Sequence, residues 1–547
     1  MTDSEAKTGG VGLRTADIIG RRLYQAGVRA AFGIPGGEVV SLVDGLEKAG
    51  IDFLLAKHEN AAGFMAEGTH HLSGAPGVLV ATVGPGAANA VNVTANAEQD
   101  RVPLIVLTGC VDPADTVTYN HQVFDHRAVF APICKASFTV PDGNVAALID
   151  KAIAIATEGR PGPVHLDVPI AVAAQIHDAP LPTPRVPRAP VAPAEGPDLE
   201  TARRWLAEAE RPLVIAGVDA VNGNAGEAIT EFAKAYGAPV IASYKAKGLI
   251  ADDEAMSLGG AGLSPLADKT LMPMVKDADY ILLAGYDPIE MRAGWRDPWD
   301  AADKRVVELL AAPEYSYMHQ APISFVCDIN EGIRAVSAGV TTRPTWPDGA
   351  PAKARQTLAG AYGQNEAWGP AAITTTIRKV APRDTVVTVD SGAHRILLSQ
   401  VWESFVPHAV LQSTGLCTMG CALPLATGAK LAAPERPVIA FTGDGGLEMV
   451  LGELVTLRDL KLPVVVLVFV DASLALIEKK QREMSFANAG VDMTETDFEA
   501  VAKALGGNGV TVEDRGALEA AMRDALRADT YTVIAAKIPR GSYDGRI

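Results

Sequence analysis

Short apolar runs alternate along this chain with longer stretches that carry apolar residues at helical spacing. In the first third, runs at 28–34, 77–83, 102–108 and 163–168 predict strands. The middle offers 212–216, 239–243, 280–284 and 324–327, and the last third 385–389, 410–413, 437–442, 463–470 and 531–537. Strands that alternate with helices predict parallel sheets flanked by helices, so each third reads as an α/β block. Between the first two, 179–197 reads APLPTPRVPRAPVAPAEGP, whose repeated prolines forbid regular helix or central strand. A weaker break, GVTTRPTWPDGAP, covers 339–351. The expected organisation is a domain over 10–178, a linker over 179–197, a domain over 198–338, a linker over 339–355 and a domain over 356–547. No internal sequence repeat is visible.

Composition then narrows the classes of function. Of 547 residues, 48% are apolar and 21% charged, the balance of a soluble globular protein. A formal charge of -17 argues against nucleic acid and anionic membranes as partners, because neither has a polycationic surface to dock on. The longest strongly apolar run, 462–470, is far short of the roughly 20 residues a membrane helix needs. Residues 1–10 are polar, with two acids and a lysine, which predicts no signal peptide. Five cysteines (Cys110, Cys134, Cys327, Cys417, Cys421) without metal-type CxxC spacing predict structural thiols in a reduced, cytoplasmic protein.

The most informative chemistry is a pair of carboxylates. Gly443-Asp444-Gly445-Gly446 ends one apolar run and Val470-Asp471-Ala472-Ser473 ends the next, with 27 residues from Asp444 to Asp471. Two parallel strands would deliver one carboxylate each to the carboxyl edge of a sheet, and the glycines would let backbone N–H groups approach phosphate oxygens. Mg²⁺ favours one or two protein carboxylates with water and phosphate oxygens. An ordinary Asp-Gly turn after a core strand explains each motif singly.

Together these motifs resemble the signature of thiamine diphosphate (ThDP) enzymes. The Val-Asp at 470–471 is similar to that of the FAD-independent, catabolic acetolactate synthases, whereas other members more often end the motif in Asn-Asn. The resemblance covers nearly the whole chain and implies pyrimidine-binding, central and diphosphate-binding domains, each a parallel sheet flanked by helices. It also implies Mg²⁺ held by Asp444, Asp471 and the Ser473 carbonyl, with Gly445, Gly446 and Leu474 beside the diphosphate. A second carboxylate at Asp471 should tighten the metal. Asp390-Ser391-Gly392-Ala393-His394 looks like the diphosphate-contacting loop, in which Ser391, Gly392 and His394 meet the cofactor and Ala393 replaces a commoner polar residue.

Further motifs place the cofactor rings. Glu59, in His58-Glu59-Asn60-Ala61-Ala62 after an apolar strand, resembles the activating glutamate of these enzymes. A glutamate within hydrogen-bond reach of the pyrimidine N1′ promotes the imino tautomer, whose 4′-nitrogen removes the thiazolium C2 proton. From the residues alone, Glu59 reads more readily as a surface residue or helix cap. The loops with Pro35 and Gly36, and with Gly84-Pro85-Gly86 to Asn89, look like those around the aminopyrimidine. Met419 resembles the apolar wedge that folds ThDP into a V, and the Cys417 carbonyl, where glycine is usual, would accept the 4′-amino hydrogen. His121-Gln122-Val123-Phe124-Asp125 resembles the His-Gln-x-x-Asp segment of the catabolic synthases, which implies that Gln122 reaches substrate. His121, His126 and Arg127 stand beside it, the latter two able to attract a substrate carboxylate.

In the helix after the metal loop, Glu478 is similar to a proton-handling glutamate of the 2-oxoacid decarboxylases, and a solvated helix face is the plain alternative. Gly285-Tyr286-Asp287-Pro288-Ile289-Glu290 resembles the catabolic synthases and lacks the pattern that binds FAD in the flavin-containing ones, so FAD is not expected. The implied activity is decarboxylation of a 2-oxoacid such as pyruvate with ligation to a second 2-oxoacid, by a homodimer or homotetramer with inter-subunit sites. The alternatives are a decarboxylase releasing aldehyde, another ThDP lyase or ligase, or a catalytically silent ThDP-binding protein. An acyl-CoA lyase is disfavoured by the absence of an obvious cover after Ile538.

Overall fold

The run Val465–Val470 reads VVLVFV, and all six side chains are buried. A strand apolar on both faces belongs inside a parallel sheet covered by helices, where each large apolar side chain contributes roughly 1.5–3 kcal/mol relative to exposure. The structure, a computed structural model, places it there. Residues 12–178 and 180–547 are described. Residues 1–11, which include the polar stretch 1–10, Ala179 at the start of the linker, and the side chain of Glu290 lie outside the described residues.

Three six-stranded sheets carry the fold, and every pairing within them is parallel. Across the first sheet run Asp52–Leu55, Ala30–Ile34, Gly77–Ala81, Leu104–Cys110, Val164–Pro169 and Ala136–Thr139. Across the last run Val410–Gln412, Val386–Val389, Val438–Gly443, Val465–Val470, Thr532–Lys537 and Asn508–Val512. Numbered by chain order within each sheet, both read 2-1-3-4-6-5. The middle sheet, Ser257–Ala261, Val240–Ser243, Pro212–Ala216, Tyr280–Ala284, Arg305–Leu310 and Ile323–Val326, reads 3-2-1-4-5-6. In such sheets ligands bind at the carboxyl ends of the strands, in the crevice where the order reverses. In the first and last sheets that crevice lies between strands 1 and 3. Pro35, Gly36, Asn89, Ser391, Gly392, His394 and Asp444 follow the strands Ala30–Ile34, Gly77–Ala81, Val386–Val389 and Val438–Gly443 that flank these crevices, and Glu59, Gln122, Cys417, Met419 and Asp471 follow the carboxyl ends of the strands beside them.

The chain divides into two compact units. One contains the first sheet, to Arg188, together with Pro424–Pro434 and Gly452–Leu460; the other contains Ala189–Leu423, Glu435–Leu451 and Lys461–Ile547. Within the first unit, helix Glu59–Ser73 crosses the 424–434 segment at glycines, and a Cβ on Gly428 would lie 1.9 Å from the Met65 carbonyl oxygen. In the second unit polar contacts join the middle and last sheets. Gln400 Nε2 donates to the Gly260 carbonyl at 2.9 Å and Gln412 Nε2 to the Tyr244 carbonyl at 3.2 Å.

Each expected strand overlaps an observed one; besides Asp52–Leu55 before Glu59 and the short antiparallel pair Leu13–Arg14 and Ile176–His177, four more appear at Ala136–Thr139, Ser257–Ala261, Arg305–Leu310 and Asn508–Val512. Three of these are edge strands, with small or polar residues such as ASFT and SLGGA that leave little periodic signal. The fourth, RVVELL, hides behind Glu308, whose buried carboxylate is matched by His319 Nε2 and Ser324 Oγ, each at 2.8 Å.

Candidate active site

Asp444 opens the short helix Asp444–Glu448 at the end of its strand and is 6% exposed. Its Oδ1 accepts the Gly445 N–H at 2.8 Å, and its Oδ2 accepts the N–H groups of Asp471 at 3.1 Å and Ala472 at 2.7 Å. One carboxylate thus fixes both metal-type loops. Gly446 has to be glycine, because a Cβ there would meet Asp390 Oδ2 at 2.2 Å. Burial raises the affinity of Asp444 for its proton, and Asp471 is pushed up to about 7 by burial first and by the Asp444 charge second.

These groups line a cavity of about 320 Å³ with Ser391, Gly392, His394, Cys417, Met419, Gly445, Gly446, Ser473, Leu474 and Tyr543. Three buried polar atoms on its wall, Ser391 Oγ, Ser473 Oγ and His394 Nε2, have no hydrogen-bond partner. His394 stacks on Phe469 at 5.3 Å between ring centroids, and burial pushes it down to about 3. It is therefore a neutral donor rather than a cation. Two facing carboxylates, close-approach glycines and unpaired donors suit a divalent cation with a diphosphate: the metal would remove the repulsion, and the phosphate oxygens would accept the free hydrogens.

Asp390, whose role no local signal in the sequence marks, holds the adjacent loop. Its Oδ1 accepts from Gly420 N at 2.8 Å and its Oδ2 from Thr442 Oγ1 at 2.9 Å, and burial pushes it up to about 6. Met419, next to Gly420, is set by that contact. Cys417 on this wall has φ 55 and Ala472, in the loop after Asp471, has φ 50, so two non-glycine residues adopt the left-handed region. Glycine is the unstrained choice there, which accounts for the usual glycine at the position of Cys417.

Glu478, on helix Ala475–Glu483, lines a smaller adjoining cavity that shares Asp471, Ser473 and Tyr543 with this one; its Oε1 accepts from Arg482 Nε at 2.7 Å, while Leu474 and Ile477 line the larger cavity. The segment after Ile538 does provide cover, because Tyr543 is 4% exposed and sits in the wall.

The other unit gathers the residues of the first sheet. Glu59, 5% exposed, begins helix Glu59–Ser73, and its Oε2 accepts from Asn89 Nδ2 at 2.9 Å. Just before it, the Lys57 N–H is held at 3.0 Å by the buried carboxylate of Glu453. Gly36 sits against Thr82, whose hydroxyl donates to Glu38 Oε2 at 2.7 Å, and Pro35 beside it is exposed. His121 and Gln122 are exposed, and Gln122 has φ 59. Gly84, with φ 68, packs on the Gln122 backbone: a Cβ on it would lie 2.5 Å from the Gln122 carbonyl oxygen.

His126 is buried away from any substrate role. Its Nε2 accepts from Gly84 N at 3.3 Å and its Nδ1 donates to Asp167 Oδ1 at 2.8 Å. With His165 and Asp167 it forms a metal-like cluster, but Thr108 Oγ1 lies 2.7 Å from His165 Nε2 and 2.6 Å from Asp167 Oδ1. Those are hydrogen-bond lengths, so the Thr108 hydroxyl engages both the His165 nitrogen and the Asp167 oxygen that would face an ion.

Comparison with known proteins agrees with this geometry. Residues 13–129 match the family described as thiamine pyrophosphate enzyme, N-terminal TPP binding domain; 199–336 match the central domain, and 390–536 the C-terminal TPP binding domain. The chain is 30% identical over 542 residues to the acetolactate synthase of Bacillus subtilis, covering 95% of this chain and 92% of that one. It is 30% identical over 539 residues to the catabolic acetolactate synthase of Raoultella terrigena, covering 95% and 94%. It is also 29% identical over 534 residues to a Pseudomonas aeruginosa protein named "probable 2-ketoarginine decarboxylase AruI", covering 95% and 93%. The chain belongs to the thiamine diphosphate-dependent enzymes, in the family that contains the acetolactate synthases.

Proposed function

We propose that the protein decarboxylates a pyruvate-like 2-oxoacid and ligates the remaining carbons to a second 2-oxoacid, as an acetolactate synthase does, with Mg²⁺ as the metal. Two observations, each within its own unit, carry this reading together: a buried Glu59 oriented by Asn89, and a diphosphate-type cavity that contains both Asp444 and Asp471. ThDP, when bound, would supply the carbon nucleophile and the electron sink that decarboxylation requires. Asp444, Asp471 and the Ser473 carbonyl would hold its metal, and Ser391, His394, Gly445 and Gly446 its diphosphate. Met419 shapes the wall where the rings would lie. Glu59 would exchange a proton through Oε1 while Asn89 fixes Oε2, and Gln122 would orient substrate.

The reading includes no flavin. In the middle sheet, where a dinucleotide would use the crevice beside strand 1, the Asp219 N–H already bonds to the Gly285 carbonyl at 3.1 Å, and a Cβ on Gly217 would lie 2.6 Å from that oxygen. The reading takes the domain boundaries expected from sequence, a cytoplasmic location and a homodimer or homotetramer. Among the described residues no helix is long and apolar enough to cross a membrane. A simple decarboxylase is the rival, and Glu478, tied to Arg482 outside the wall of the larger cavity, weighs against proton delivery to an aldehyde product. Incubation with pyruvate separates the two. Acetolactate among the products is the expected result, whereas acetaldehyde alone would replace ligation with the rival.

A further inference from the structure

Arg395 lines the same cavity at 3% exposure, yet no carboxylate of the described residues pairs with it. Its polar partners are the Ser413 carbonyl, 2.6 Å from Nη1, and the Cys417 sulfur, 3.2 Å from Nη2, while Nε has none. A guanidinium stays charged in proteins, and sulfur is a weak acceptor. A cation kept out of water without a counter-ion is a standing penalty that ordinary packing would remove. The placement makes sense when an anion arrives.

The identity of that anion follows from where Arg395 points. Its neighbour His394 faces Phe469 and Gly443, on the metal side of the cavity. Arg395 is instead bonded to the 413–417 loop that leads to Met419, where the proposed function places the cofactor rings and the substrate. A carboxylate about to leave as CO₂ is a poor match, because a fixed cation would stabilise the ground state more than the transition state. We infer that Arg395 binds a carboxylate that is retained in the product, and so selects the class of 2-oxoacid handled. The inference rests on the reading under Proposed function. The retained group has two sources: the carboxylate of the acceptor, or the distal carboxylate of a dicarboxylic donor.

The test compares wild type, Arg395→Gln and Arg395→Lys as holoenzymes, in two arms. One arm uses pyruvate as donor, with 2-oxobutyrate or propanal as acceptor. The other measures CO₂ release from 2-oxoglutarate against 2-oxopentanoate. In one arm, the Gln variant loses about 10- to 100-fold more kcat/KM on the anionic compound than on its neutral partner, chiefly through KM, and Lys restores part of that preference. The arm that responds identifies the source.

Without ligands, the Gln variant melts no lower than wild type, since it sheds an uncompensated buried charge. Unchanged preferences in both arms overturn the inference, as does a lowered melting temperature with equal losses on all substrates. Wild type that releases no CO₂ from any 2-oxoacid sinks the proposed function, and this inference falls with it. Normal wild-type turnover with unchanged preferences sinks the role of Arg395 alone.

Discussion

Glu59→Gln lowers turnover on every 2-oxoacid by about 10²- to 10⁴-fold, the range for loss of a positioned acid-base group. Glutamine keeps the volume and an amide oxygen that can accept from Asn89 Nδ2, now 2.9 Å from Glu59 Oε2. The start of helix Glu59–Ser73 is therefore preserved, and so is the bond from Lys57 N to Glu453. What disappears is a group able to take and return a proton. Cofactor affinity and melting temperature should change little, which separates this effect from misfolding. CO₂ release from pyruvate is the readout, and turnover within tenfold of wild type would contradict the assignment.

Loss of Asp444 removes more than a metal ligand. Its carboxylate accepts three backbone N–H groups, from Gly445, Asp471 and Ala472, and each left unpaired costs roughly 1–3 kcal/mol. Asp444→Ala therefore loosens both loops and weakens Mg²⁺-dependent ThDP uptake by about 100-fold or more, measured by calorimetric titration. Asp471→Asn has two opposed effects. The folded-state carboxyl is raised to about 7 from an ordinary value of 3.8, so between those values the metal-free folded protein binds more protons than the unfolded chain. The stability contributed by this group consequently falls as pH rises through that window, and the full penalty stands above pH 7. Metal binding needs the deprotonated form and gains over the same range. The Asn variant, at pH 8, melts higher than wild type without metal and binds Mg²⁺ about tenfold more weakly. A melting temperature that drops in the absence of metal would contradict the repulsion between Asp444 and Asp471.

What could be read from the chain alone was whatever leaves a local mark. Continuous apolar runs such as 463–470 gave the central strands, because burial on both faces demands them. Glycines beside Asp444 and in the Gly84-Pro85-Gly86 turn marked the loops, because backbone approach excludes side chains there. Edge strands such as Ser257–Ala261 left no such mark. The shared 2-1-3-4-6-5 order of the first and last sheets was also silent, since topology leaves no repeat in the sequence. Contacts between distant residues stayed hidden for the same reason. Nothing local in Asp390 indicates that it holds Gly420 and Thr442, and nothing in Arg395 shows that the fold gives it no acid. The partner of Glu478 was legible at helical spacing, because Arg482 stands four residues on along the same helix.

The central claim is that this fold binds ThDP through a divalent cation. Calorimetric titration of the metal-stripped protein with ThDP, with and without Mg²⁺, tests it most directly. The account predicts saturable binding, one ThDP per chain, that requires the metal. Absence of saturable uptake with Mg²⁺ present, from protein that melts cooperatively, would contradict it.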